Sequence, residues 1–224
     1  MKNKIIIVSL VLATIMSLAG CSQTDVVGQT AKTSFAQVVK AIPDQVTADE
    51  MNGGWALSAP DNSAEFIWSQ DYSKSPIHDV MLEFDATPFV DAGLDVSKLP
   101  AGMSFEDKIM VGTKLGNDEL KYKGEATPEA SFNQIVDLYR NSIGYHEVLD
   151  HYGVDLGNGN KFEWAKDMSK NDKDIVFVVD PQVFIDAGVN PEKVEGWKYA
   201  SVQIKDAKGK TVEVMKFLKP FDLQ

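Results

Sequence analysis

The chain predicts an α+β fold of two tandem homologous units, each a short helix plus a mainly antiparallel sheet with a short crossover helix. Three observations carry that prediction. Residues 66–74 (FIWSQDYSK) and 162–170 (FEWAKDMSK) agree at five of nine positions at an offset of 96. Residues 79–99 and 174–194 then agree at seven of twenty-one positions at an offset of 95, and most remaining pairs exchange one apolar residue for another. Upstream of both, Ser34, Phe35, Gln37 and Val39 recur as Ser131, Phe132, Gln134 and Val136 at an offset of 97. Self-similarity at one long period is the mark of a duplicated supersecondary unit.

The first element lies outside the duplication. Lys2 and Lys4 precede an apolar run, residues 5–18, that is short for a membrane span and has the flanks of a secretory leader. The run ends in Leu18-Ala19-Gly20-Cys21, and Cys21 is the single cysteine of the chain. This resembles the lipobox of bacterial lipoproteins. The resemblance covers residues 1–21 only, and it implies cleavage before Cys21 and a diacylglycerol thioether on its sulfur. Two acyl chains suffice for stable anchoring where one is marginal. The expected organisation is a signal peptide at 1–20, the lipidated Cys21 with a polar tether to 32, one unit at 33–126 and a second at 127–224. The expected location is the extracytoplasmic side of a cell membrane.

With Cys21 used for lipid, no disulfide is available and stability rests on burial. Loss of Lys2 and Lys4 with the leader takes the formal charge from −11 to −13. Acidity spread along the chain argues against nucleic acid and against contact with anionic head groups.

Each unit opens with an amphipathic helix. Phe35, Val38, Val39 and Ile42 fall on one helical face before Pro43, and Phe132, Ile135, Val136 and Tyr139 do the same after a Thr127-Pro128 start. Residues 55–58 and 66–70 read as a strand pair across a Pro60-Asp61-Asn62 turn. Phe162 and Trp164 alternate with Lys161, Glu163 and Lys166, the pattern of a half-buried strand with Glu163 facing solvent. Residues 80–84 and 175–179 follow, the latter wholly apolar, as a strand covered on both faces requires. Asp85 and Asp180 stand where short helices would be capped, and Gly93 and Gly188 suit left-handed C-caps. Each unit is expected to close with a hairpin, residues 108–114 with 120–123 and 201–205 with 211–217.

Three constellations could carry chemistry. The segment His146-Glu147-Val148-Leu149-Asp150-His151 has one residue too many for the HExxH pattern, and on a helix positions i and i+5 diverge by about 140°, so both histidines could not serve one metal from a helix. Half-sites pairing His146 with Asp150, or Glu147 with His151, remain. Trp55 and Trp197 follow glycines and, with Tyr72, form a candidate stacking surface for a ligand. The loop Asp155 to Asn160 lacks the alternating oxygen ligands and the closing glutamate of a calcium loop. No nucleophile elbow, phosphate loop or catalytic serine–lysine pattern occurs.

These observations favour a non-enzymatic, lipid-anchored binding or adaptor protein of the bacterial cell envelope, with no cofactor beyond its lipid. A peptide, glycan or envelope protein would be its partner, held in the cleft between the units or on a sheet face. The alternative is a metal-binding protein or metal-dependent hydrolase using His146, Glu147, Asp150 and His151.

Overall fold

The computed structural model describes residues 10–12, 23–50, 53–69, 79–113, 127–146, 149–167, 174–205 and 208–221. In chain order the elements of the first half are β1 (Leu10–Leu12), α1 (Gln23–Ala41), β2 (Val46–Asp49), β3 (Gly54–Ser58), β4 (Ala64–Ser69), β5 (Val80–Asp85), α2 (Thr87–Asp91), β6 (Ser104–Phe105) and β7 (Lys108–Thr113). The second half contains α3 (Pro128–Leu138), β8 (Ile143–His146), β9 (His151–Asp155), β10 (Lys161–Ala165), β11 (Ile175–Val179), α4 (Gln182–Asp186), β12 (Lys198–Lys205) and β13 (Thr211–Phe221). The fold is α+β, with two similar antiparallel sheets. The first runs β2-β3-β4-β5-β7-β6, and the second repeats that order as β8-β9-β10-β11-β13-β12.

Register makes the equivalence quantitative. Phe84 pairs with Ile109, and its counterpart Val179 pairs with Phe217. Ile109 and Phe217 are 108 residues apart rather than 95, so thirteen residues have entered the second copy by that point. They lengthen the β12–β13 hairpin, whose first-copy equivalent is the two-residue β6 beside β7. The expected first hairpin is corrected accordingly: β7 pairs with β6 upstream, and residues 120–123 lie outside the described residues.

The helical start is also earlier than the amphipathic stretch alone suggests. Residues 23–32, read above as a tether, belong to α1. Val27 and Ala31 extend its apolar stripe, and both meet the core. The segment Leu10–Leu12, inside the leader-like run, lies parallel on the free edge of β12, with Leu10 opposite Val202 and Leu12 opposite Ile204. Among the described residues no helix is long and apolar enough to cross a membrane.

The two units share one core. α1 packs on α3 and on β8 and β10 of the second sheet, while α3 packs on β4 of the first. Three aromatic pairs join residues to their own equivalents across a pseudo-twofold axis. Phe35 stacks on Phe132 at 3.7 Å, Phe66 on Phe162 at 4.0 Å, and Phe89 meets Phe184 at 5.0 Å. Such self-matching contacts are what an isologous interface makes. Polar contacts obey the same exchange. Trp68 Nε1 donates to Ser131 Oγ and Trp164 Nε1 to Ser34 Oγ, each at 2.8 Å. Asp95 N donates to Ala187 O and Asn190 N to Ala92 O. Between these bonds Gly93 and Gly188 come so close that a Cβ on either would stand 2.8 or 2.9 Å from the other's carbonyl oxygen. Both have the positive φ expected of them, +108° and +105°. Among the described residues, aromatic rings from both units meet along the axis.

Two ion pairs are conserved between the copies. Lys108 reaches Asp85 at 2.7 Å, and Lys216 reaches Asp180 from the equivalent position. Asp180 also accepts from Gln182 N, keeping part of its expected capping role. A third ion pair crosses the units: Lys219 of β13, largely buried, holds Asp61 of the β3–β4 turn at 2.9 Å. Burial pushes the Asp61 carboxyl up, but hydrogen bonds from Lys219 and Ser63 outweigh it and lower its pKa to about 2.

Candidate functional site: a buried polar row on the second sheet

Alternation fixes which side chains leave the core. Tyr145, Tyr152, Phe162, Trp164 and Phe177 face the helices, so His146, His151, Glu163, Val176 and Val178 lie on the opposite face. The segment containing the histidines is not a helix. It is a β8–β9 hairpin, in which His146 and His151 are directly opposite each other. The i, i+5 spacing that disperses side chains around a helix therefore brings these two together, since cross-strand Cβ atoms stand about 4.5–5.5 Å apart.

Glu163 joins them from β10. It lies opposite Gly153, one step diagonal from His151, and its Oε2 is 3.9 Å from His151 Nδ1. That is too long for a hydrogen bond. Gly153 makes the approach possible: a Cβ there would stand 3.1 Å from Glu163 Cγ. All three side chains are buried, with relative exposures of 5% for His146 and 2% for His151 and Glu163. Both ring nitrogens of His146, Nδ1 of His151 and Oε2 of Glu163 have no hydrogen-bond partner. The row borders an apolar patch of Val176, Val178, Val202 and Leu218, against which Leu149 of the hairpin turn packs.

Burial favours the neutral imidazole at His146. Burial lowers the pKa of His146, aided by His151 and Lys161 and opposed by the Glu163 carboxylate. Lys161, on the same face of β10, is likewise lowered by burial, against the pull of Glu163 and Asp155. A buried row with one carboxyl group, two imidazoles and unpartnered polar atoms is chemically suited to a hydrogen-bonding ligand.

The first unit serves as an internal comparison. Register places Asp49 where the second unit has His146, Gly54 where it has His151, Ala56 for Gly153 and Ile67 for Glu163. Ile67 is 4% exposed and packs with Ala56 and Met81 in an ordinary apolar cluster. The scaffold thus accepts hydrocarbon at this position. In the second copy it carries a carboxylate, although burying a polar atom without a partner costs about 1–3 kcal/mol.

The remaining candidates separate from this row. Asp150 occupies the hairpin turn at φ +55° and turns toward Tyr145, whose hydroxyl donates to it, with Lys166 at 3.8 Å. Glu147 and Tyr72 lie outside the described residues. Trp197, expected to be exposed, is 9% exposed and packs on Phe84 and Phe89, with the Lys219 ammonium 6.0 Å from its ring centre. Trp55 is half-buried against the core and lies opposite Trp68. Gly196 before Trp197 is a turn residue at φ +77°, whereas Gly54 before Trp55 lies in β3, where a Cβ would stand 2.1 Å from Trp68 O. In the 155–160 loop, Asp155 accepts from Gly157 N, and Asn160 bonds Gly157 O and Asp180 N. Those side chains are committed to holding the turn. Among the described residues, no group of three or more His, Cys, Asp or Glu side chains could hold a metal ion.

Sequence reasoning placed Glu163 on a solvent face because Lys161 and Glu163 alternate with the apolar Phe162 and Trp164. The signal that identifies it is its mismatch with Ile67 in the aligned repeat. Compared with known protein families, with curated proteins and with solved structures, the chain matches none.

Proposed function

We propose that this chain is a lipid-anchored, extracytoplasmic binding protein of the bacterial cell envelope whose ligand seat is the row His146, His151 and Glu163. The observation that supports it is the asymmetry between the copies. A buried, unpartnered polar row stands in one unit where the other packs Ile67 beside Ala56, so the row serves something other than folding. Binding is favoured over catalysis because the sequence offers no nucleophile motif or phosphate loop to go with it. The aromatic rings that meet at the pseudo-twofold axis support the second of the two expected seats, a sheet face, over the cleft between the units. The leader and Cys21 support the anchor, and α1, beginning at Gln23, leaves only Ser22 between lipid and helix. The body would then stand close to the bilayer rather than on a long tether.

Two measurements test the reading. Labelled palmitate should enter the wild-type chain and fail to enter Cys21→Ser, with the protein moving from the membrane to the soluble fraction. Thermal unfolding of the mature chain against divalent metals, muropeptides and glycans should give a shift with one class that His151→Gln removes. A ligand at one hundred times its Kd stabilises the native state by about 2.7 kcal/mol, which such a screen detects. Equal labelling of Cys21→Ser would overturn the anchor, and shifts that ignore His151 would overturn the seat.

A further inference from the structure

Resting on the leader reading, and at a surface separate from the histidine row, we propose that the outer edge of β12 is a strand-accepting site. In the mature chain its occupant is an extended, uncharged segment of a partner polypeptide with aliphatic residues at alternate positions.

The edge exists in one unit only. β6, its first-unit equivalent, is two residues long, whereas β12 has eight. β11 pairs with β13 only from Phe217 to Phe221, so Thr211–Lys216 and their partners Ala200–Lys205 run past it as a two-stranded arm. A ribbon of two strands is marginal by itself and gains from a third. One face of the arm is aliphatic. Val202 lies opposite Val214 and Ile204 opposite Val212, and this face continues the cluster of Val176, Val178 and Leu218. Between Lys198 and Lys205, β12 reads Tyr199-Ala200-Ser201-Val202-Gln203-Ile204, with neither charge nor proline. Those are the residues that normally block pairing at an edge.

The leader segment shows what this edge takes. Leu10–Leu12 adds to it in parallel, with Leu10 beside Val202, Val11 beside Gln203 and Leu12 beside Ile204. Side chains alternate across a strand, so Leu10 and Leu12 extend the aliphatic face and Val11 the polar one. In strand addition the backbone hydrogen bonds supply affinity, and alternate side chains supply selectivity. Cleavage before Cys21 removes this strand and returns the edge of Val202–Ile204 to solvent. A second copy is a poorer occupant than a foreign strand. Full antiparallel pairing of two β12 strands sets Lys198 opposite Lys205 at both ends, and like charges directly opposite repel.

The test compares two forms in the same detergent: the full chain with its leader, confirmed by mass, and the mature chain. The probe is a fluorescent peptide of residues 8–14, Val-Ser-Leu-Val-Leu-Ala-Thr. The mature chain should bind one equivalent, and the full chain should bind roughly tenfold more weakly or worse, because its own strand competes. Ile204→Lys should weaken binding by the mature chain about as much, while Val90→Lys on the exposed surface of α2 leaves it unchanged. A peptide with aspartate in place of both leucines should not bind, which keeps the test independent of how any variant folds. Amides of residues 199–204 should exchange roughly tenfold faster in the mature chain than in the full chain, and slow again with peptide. No binding by the mature chain, equal binding by the full chain, or equal exchange in both forms would overturn the proposal. A mature dimer with protected β12 amides would overturn the foreign occupant in favour of a second copy. Palmitate entering Cys21→Ser would remove the leader reading without altering peptide binding, so the two failures are told apart.

Discussion

The reciprocal tryptophan–serine bonds yield a prediction in which two equivalent mutations differ. Ser34 and Ser131 are both buried, and each accepts from the indole of the opposite unit at 2.8 Å. Trp68 Nε1 has a second acceptor, Pro128 O, at 3.2 Å. Trp164 Nε1 donates to Ser34 Oγ. The matching carbonyl, Ala31 O, accepts from Ser34 Oγ at 3.0 Å, as Pro128 O does from Ser131 Oγ at 3.3 Å, but it takes no bond from the indole. Ser131→Ala therefore removes one of two bonds, a loss of about 0.5–1.5 kcal/mol. Ser34→Ala strands a buried donor, which costs about 1–3 kcal/mol. The first-unit helix mutation should be the more damaging by roughly 1 kcal/mol. Equilibrium urea unfolding of the mature chain reads this directly. With a slope of about 2 kcal/mol/M, Ser34→Ala should lower the midpoint by about 1 M and Ser131→Ala by about half that. Tryptophan fluorescence and far-ultraviolet dichroism should follow one transition, because α1 stabilises the second sheet and α3 the first. Equal midpoints, the reverse order, or two separated transitions would refute the exchange of helices between units.

Other outcomes follow from single sites. Gly93→Ala and Gly188→Ala each place a Cβ within 3 Å of a carbonyl at a positive φ, so each should cost more than about 1 kcal/mol. Because they open the same contact, the double variant should lose less than the sum of the two, as thermal unfolding can measure. Glu163→Ile installs the residue found at the equivalent first-unit position, and should raise the thermal midpoint while removing the ligand response; a lower midpoint would show that the carboxylate is a structural group. His146 titrates below its ordinary value in the folded chain because of burial, opposed by Glu163 and aided by His151 and Lys161. Its stabilising contribution is therefore complete above the unfolded value of about 6.5, and falls as pH drops from there toward the folded pKa. His146→Gln should flatten that part of the stability–pH curve, and an unchanged slope would contradict the burial.

Much of the fold was legible because duplication reports itself. Matching offsets of 95 to 97 located both helices, the paired strands and the glycine turns, and local patterns supplied their types. What the repeats cannot show is which unit each element packs against. Phe35 has the same apolar stripe whether it covers its own sheet or its neighbour's, and only the tertiary arrangement stacks it on Phe132. β2 and β8 were missed because Val46–Asp49 and Ile143–His146 are short edge strands with mixed polarity. The helical reading of residues 146–151 hid the candidate site. Gly144, Tyr145 and Tyr152 favour a hairpin there, and a period of two would have paired the histidines.

Fusion of the two units explains why the candidate site can exist at all. In a symmetric pair of separate chains, a buried carboxylate at the Ile67 position would appear twice, and its cost would be doubled. A single chain can keep Ile67 with Ala56 and Met81 in one sheet while the other carries Glu163 beside two histidines. The shared core makes that asymmetry tolerable, because α1, α3 and the axial phenylalanines stabilise both sheets together. A polar row that weakens β9 and β10 is then supported by packing contributed from the other copy. The unit without the row is in this sense part of the site: its helix, through Ser34 and Phe35, holds Trp164 on the reverse side of the strand that presents Glu163. Substitutions along that α1 face should consequently reach the seat through β10, although none of them touches a ligand.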